Sequence, residues 1–476
     1  LHPSSSRARH RRALRPSPET IEPRTLPSGF SPTAVEQYYL ERLDDARFNP
    51  SAYGVSLGID LSGVAPAQPL AMSTLLVESA RLHSQDMIAQ DYFAHDTPQG
   101  ADPGDRIAAT GFVANGWAES IETNTEPSTY GGGFSANFAA WDAGYSLSNL
   151  IVDQGVPDLG HRIMLLDIGG LDQTMRQVGI GIASQDSPSG PFTYRQSDTT
   201  IDLAATTSTG PYLTGVVFND NAGNGEYQPG EGLSGVTISV NGVGSTTTMD
   251  AGGYAIPLAP GTYTVTASGG GLASPIARTV VVGDDNARLD FDANPNGSLL
   301  DAAPSGTVSG LLGTFTAIAA GDTASSYSAR IDWGDGNATF ATLSANPDGT
   351  FNVQGSDTYA SAGVYAVRVL ITHLSDGQTL ALNAAVVVNT SSYSGPAFPS
   401  PSYPGQGGGQ GSSSPGGSTS QPNLGTSTSS SGQGRHHKKH PKPHHLAEHL
   451  VHAVGKRPSG PRPAQKAATA RRLHLG

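Results

Sequence analysis

Two histidines and a glutamate stand in three short phrases: His95 in YFAH, Glu119 in AESI and His161 in GHR. Two neutral imidazoles and a carboxylate suit Zn2+ and leave a fourth position open for water or a ligand. Spacings of 24 and 42 residues require separate structural elements, unlike the two histidines of a single HExxH helix. Between Thr25 and Gly434 the only other histidines are His83 and His373, so three of four fall in the stretch that also carries Glu119. With zinc, the trio predicts a polarised water and metal-dependent hydrolysis, Glu119 acting as ligand or base. Without metal, the same residues hydrogen-bond one another in a polar cleft that holds a ligand. His83 reads differently. It lies on the apolar face of a helix between Ala80 and Met87, the usual setting of a core histidine with a satisfied hydrogen bond.

These residues need a scaffold, and periodicity supplies one. Ser31-Pro32 followed by Val35, Tyr38, Tyr39 and Leu43 predicts a helix that stops at Asn49-Pro50. Leu76, Ala80, His83 and Met87 predict a second helix over 73–90. A short helix is expected around Arg106 to Thr110, with Arg106 anchored through a carboxylate such as Asp102. A third helical stretch follows the three glycines 131–133, then GHRIMLL and the strand-like VGIGIA, closing an α+β domain near Ser187.

In this order the phrases VEQYYLERLDDARFNPSAYG, PLAMSTLLVESARLHSQDM, DYFAHDTPQGADPGDRIAATGF, AESI, VPDLGHRIMLL and VGIGIA resemble the CAP superfamily, in its cysteine-free bacterial form. The resemblance covers about residues 33 to 185. It implies an α-β-α sandwich with a central cleft in which His95, Glu119 and His161 converge. Two positions depart from the pattern. Ser120 replaces the asparagine that follows the glutamate, and Gly144 stands near the place of a second acid, for which Asp142 or, better, Asp153 is the substitute. Some eukaryotic relatives carry sterol or lipid, but the cysteine-bearing loop associated with that activity is absent here.

From Gly210 the texture becomes short alternating runs between glycines, which reads as a β-sandwich. Within it DNAGNGEYQPGE, residues 220–231, has the arithmetic of a twelve-residue calcium loop. Asp220, Asn224, Glu226 (through its carbonyl) and Glu231 are the expected ligands, and Ala222 leaves one position empty. With its flanking strands the segment resembles the calcium-stabilised, prealbumin-like B-type repeats of Gram-positive surface adhesins; a Gly/Asn-rich turn without an ion is the alternative. IDWGDGNATF and SDTYASAGVYAVRVLI resemble a PKD domain, an immunoglobulin-like sandwich, with Trp333 and Tyr359 as core anchors and Asp335 as a turn acid.

The expected architecture is therefore multidomain. A basic disordered arm (1–30) precedes the α+β domain (31–187), a calcium-loop sandwich (210–293) and a PKD-like sandwich (302–389). A Pro/Gly/Ser linker (390–434) and a basic His/Lys tail (435–476) follow. Charge is divided along the chain: residues 25–434 hold 37 acids against 11 arginines, while every lysine lies at or beyond Lys438. So acidic a body is no partner for nucleic acid. The tail suits anionic envelope polymers, or, through His445, His449 and His452 on a local helix, Zn2+ or Cu2+. The absence of cysteine rules out disulfides and thiol chemistry. No apolar run is long enough to span a membrane, and no ordinary signal peptide is visible. The arm RRALRPSPETIEPRTLPSG is similar to leaders of large bacterial surface proteins, which implies export. A secreted or cell-surface protein that binds an extracellular ligand, with metal in the cleft, is the leading expectation.

Overall fold

The computed structural model describes residues 30–170, 174–206, 210–388 and 451–456. The expected arm, the linker and most of the tail, including His445 and His449, lie outside these. The described chain is multidomain and consists mostly of β-sheet with six helices.

Helix α1 (Ala34–Phe48) begins at Thr33, whose hydroxyl accepts from the Glu36 amide while the Glu36 carboxylate accepts from the Thr33 amide. Glu36 also accepts from Arg81 (3.0 Å) and from the Ile182 amide (3.1 Å), tying this helix end to two other elements. Asn49 and Pro50 do more than end α1. Asn49 caps a further helix, α2 (Pro50–Leu57), with Pro50 in its first turn, where a missing N–H costs nothing. After β1 (Ala71–Met72), α3 (Thr74–Gln90) and α4 (Pro103–Ala109) follow, the latter capped by Asp102. Then come β2 (Ala114–Pro127), α5 (Phe138–Val152), α6 (Gly160–Leu165), β3 (Gln177–Ser189) and β4 (Phe192–Thr206).

The sheet order is β1-β3-β4-β2, with β21 (Val451–Lys456) added antiparallel to the outer edge of β2. The backbone at 451–456 is thus extended, not the helix expected to carry His452. The N-terminal domain also runs past Ser187, because β4 pairs with both β2 and β3 along nearly its full length. One sheet face buries Tyr39, Leu43, Leu147, Leu150, Val178 and Ile180, each fully. At about 1.5–3 kcal/mol per large apolar side chain, this layer carries much of the domain's stability. On the other face α3 lies almost on the backbone of β3. A Cβ on Gly179 would stand 2.0 Å from the Leu76 carbonyl carbon, and one on Gly181 2.1 Å from the Arg81 amide nitrogen. The alternate glycines of VGIGIA let α3 approach that closely.

The second domain comprises β5 (Tyr212–Phe218), β6 (Val236–Val240), β7 (Gly244–Thr247), β8 (Gly253–Pro257), β9 (Gly261–Gly269) and β10 (Ile276–Val282), with short β11 (Ala287–Arg288) and β12 (Phe291–Asp292). The third comprises β13 (Leu299–Ala302), β14 (Thr307–Thr316), β15 (Tyr327–Asp332), β16 (Ala338–Phe340), β17 (Thr342–Ala345), β18 (Thr350–Thr358), β19 (Gly363–His373) and β20 (Thr379–Val388). Trp333 and Tyr359 are fully buried in its core, and the Tyr359 hydroxyl donates to the Trp333 carbonyl at 3.0 Å. Asp335 accepts from the Asn337 amide, a turn acid as expected.

The three domains meet at a buried charged junction. Arg288 of β11 pairs with Glu41 and Asp45 of α1, and Arg368 of β19 bonds Asp45 at 2.9 Å and Glu226 at 2.8 Å. Asn286 donates to the carbonyls of Pro69 and Arg176, both at 2.9 Å. Burial pushes the neighbouring Asp44 carboxyl up to about 7, against the pull of Arg288 and Arg47.

Candidate functional site

Glu119 sits in the middle of β2 with no exposure. Its Oε1 lies 2.6 Å from His95 Nδ1, and its Oε2 accepts from the Arg106 guanidinium. Arg106 reaches back from α4 to the His95 carbonyl at 2.5 Å, closing the unit. The sequence assigned Arg106 to Asp102. Asp102 instead caps α4 by accepting from the Asp105 amide, and Arg106 serves the site itself.

Strand β4 contributes a residue that the sequence reading missed. Asp202, fully buried, is the register partner of Glu119. Burial raises the Asp202 carboxyl well above its ordinary range, and neighbouring Glu119 raises it further. Burial likewise pushes Glu119 up to about 7, with Arg106 pulling the other way. The site therefore holds two carboxyls that resist ionising together, next to one imidazole and one guanidinium. An acid inside the otherwise apolar run IDLAA was the available signal, but it lay beyond the expected domain boundary.

His161 has a different carboxylate. Its Nδ1 is 2.7 Å from Asp153 Oδ1, and the other oxygen of Asp153 accepts from the amides of His161 (3.1 Å) and Arg162 (3.3 Å). Asp153 is the C-cap of α5 in a left-handed conformation (φ 53°), which turns its side chain onto the start of α6. The suggested substitute acid is thus the orienting partner of His161, whereas Asp142 accepts from Asn124 at 2.7 Å. Ser120, in the place of the resemblance's asparagine, donates to Met164 Sδ of α6 at 3.4 Å. Successive strand residues point to opposite faces. Glu119 therefore faces the side of α3 and α4, Ser120 that of α6, and β2 stands between the two histidine–carboxylate pairs.

In the structure both oxygens of Glu119, expected as a zinc ligand, are engaged by His95 and Arg106, and His161 Nδ1 turns to Asp153. Among the described residues no group of three or more His, Cys, Asp or Glu side chains is placed to hold a metal ion. His83 behaves as a core residue: its Nε2 lies 3.1 Å from the Ala94 carbonyl, and burial lowers its pKa to about 3.

The loop at 220–231 is arranged around its own amides. Asp220 accepts from Gly223 (2.7 Å), Asn224 (3.2 Å) and Gly225 (2.6 Å), and Glu231 accepts from Asn221, Ala222 and Gln228. Asn224 Oδ1 accepts from the Glu226 amide. The Glu226 side chain leaves the loop for Arg368, since the junction offers it a buried cation. Asp220 and Glu231 thus each accept from three backbone amides of the 220–231 segment.

Residues 226–294 match the family of carboxypeptidase regulatory-like domains. No curated protein matches the chain. One structural neighbour is an extracellular protein containing an SCP domain from Bacillus anthracis, 20% identical, with a TM-score of 0.16. The match covers 28% of this chain and 34% of the neighbour, so the chain spans about a third of that protein's length. A second is a DUF3823 family protein from Bacteroides ovatus, 13% identical with a TM-score of 0.15, covering 38% of this chain and 100% of the neighbour.

Proposed function

We propose that this is an extracellular or cell-surface binding protein: a CAP-type domain that takes an envelope ligand at His95, displayed on an adhesin-like and a PKD-like sandwich. The observation that carries the reading is the enclosure of the site. Glu119 and His161 have 0% exposure and Asp153 1%, and of these histidines and carboxylates only His95, at 8%, reaches solvent. A ligand touching the edge of His95 would meet an imidazole held by Glu119, itself fixed by Arg106. The buried carboxyls orient that imidazole and do not contact the ligand. The order of the sequence phrases and the two sandwich modules support the placement outside the cell.

A second reading, hydrolysis, is favoured by one feature. Glu119, pushed up to about 7 by burial, lies 2.6 Å from His95 Nδ1, within reach of a proton transfer. Co-sedimentation of the full chain with purified bacterial cell-wall sacculi separates the two. Binding predicts retention of intact protein, weakened by His95→Ala, with no soluble peptide or sugar released. Release of fragments that disappears in His95→Ala establishes hydrolysis instead.

A further inference from the structure

At the end of the N-terminal domain away from the junction, rings lie in a row at the surface. Phe134 and Phe138 have centroids 4.4 Å apart, Phe138 and Trp141 5.6 Å, and Trp141 and Tyr145 5.2 Å, the last pair nearly parallel at 11°. Trp141 and Tyr145 are one turn and a fraction apart on α5, so helical periodicity lets the two rings stack on each other. Trp141 is 49% exposed. The neighbouring β3–β4 hairpin adds Arg195, whose guanidinium lies 4.5 Å from the Phe134 centroid and 5.6 Å from that of Phe138. Asp186 fixes this arginine through two bonds of 2.7 and 2.8 Å. Leaving such rings in water is unfavourable, and a contiguous exposed apolar patch marks an interaction site.

We propose that this strip binds a neutral oligosaccharide, the axial C–H bonds of a pyranose ring packing on exposed Trp141, which Tyr145 backs by stacking, with the neighbouring rings alongside. The composition of the patch favours sugar over lipid or a protein core. Its large exposed apolar residues are all aromatic, Tyr130 (79%) and Tyr194 (37%) among them, while its aliphatic residues are alanines. Ring faces carry partial negative charge and attract polarised C–H groups. Charge excludes anionic polymers as the best fit, because Arg195 is already neutralised by Asp186, and Asp142 and Glu126 lie close by. Exposed Ser135 and Asn137, between the first two rings in the chain, offer hydrogen bonds to hydroxyls. The site is separate from His95 and does not depend on the function proposed for it.

The test is tryptophan fluorescence of the full chain titrated with cellohexaose, chitohexaose and xylohexaose. Trp333 is buried and Trp117 half-buried, so Trp141 dominates any surface response. At least one sugar is expected to shift the emission saturably, with the response lost in Trp141→Ala and affinity at least tenfold weaker in Tyr145→Ala. His95→Ala should bind as the wild type does. No response to any of the three sugars, or an undiminished response in Trp141→Ala, overturns the proposal. So does a response only to a synthetic peptide of residues 391–405, which assigns the strip to the chain's own proline-rich segment.

Discussion

His95 and Glu119 lie 2.6 Å apart from Nδ1 to Oε1, and the second oxygen of the same carboxylate is taken by Arg106. One carboxylate thus anchors a loop histidine and a helix arginine to the middle of a strand. Removing it strands the Arg106 side chain, only 11% exposed, without its buried counter-charge. Glu119→Ala should therefore cost about 3–5 kcal/mol in urea unfolding, and Glu119→Gln, which keeps an acceptor, distinctly less. Equal and small losses in both variants would show that the ion pair does not hold the site.

Glu122, three residues on in β2, gives a pH-dependent outcome. It is 2% exposed, accepts from Asn149 at 3.2 Å, and burial pushes its carboxyl up to about 7. In the unfolded chain it titrates near 4.5, so the folded protein holds the proton more tightly. The stabilisation from this group is complete below about 4.5 and is lost as pH rises through about 7. Glu122→Gln mimics the protonated form. It should raise stability at pH 8 by up to ~3 kcal/mol and change little at pH 4.5. A thermal shift of the same size at both pH values would contradict this.

Two glycines make a matched pair. A methyl group on Gly181 meets the α3 backbone at 2.1 Å, whereas one on Gly144 in α5 meets nothing within 4 Å. Gly181→Ala should force α3 off the sheet at a cost of roughly 3 kcal/mol or more. Gly144→Ala should stabilise by about 0.5–1 kcal/mol through helix propensity. Denaturation midpoints in the opposite order would refute the close packing of α3 on β3.

These contrasts show what the sequence makes legible. Helices α1 and α3 announce themselves through regular apolar spacing, because that signal is local. Pro50 was read as a stop, although the same residue suits the first turn of a new helix, and α2 was missed. Strand β4 was missed because the polar run 195–200 interrupts its apolar alternation, and Asp202 went with it. Asp153 was reachable from its eight-residue spacing to His161 and the lack of an acid at Gly144. The partners of Arg106 and Glu226 were not, since each is chosen by charges brought near only when distant elements pack.

The most direct test of the binding account is 15N NMR of the histidine side chains in the full chain, titrated with soluble glycan–peptide fragments of bacterial cell wall. With Glu119 holding Nδ1, the His95 resonances should move saturably, and the fragments should remain intact. A His95 signal unmoved at saturating fragment, or fragments cleaved during the titration, would contradict the account.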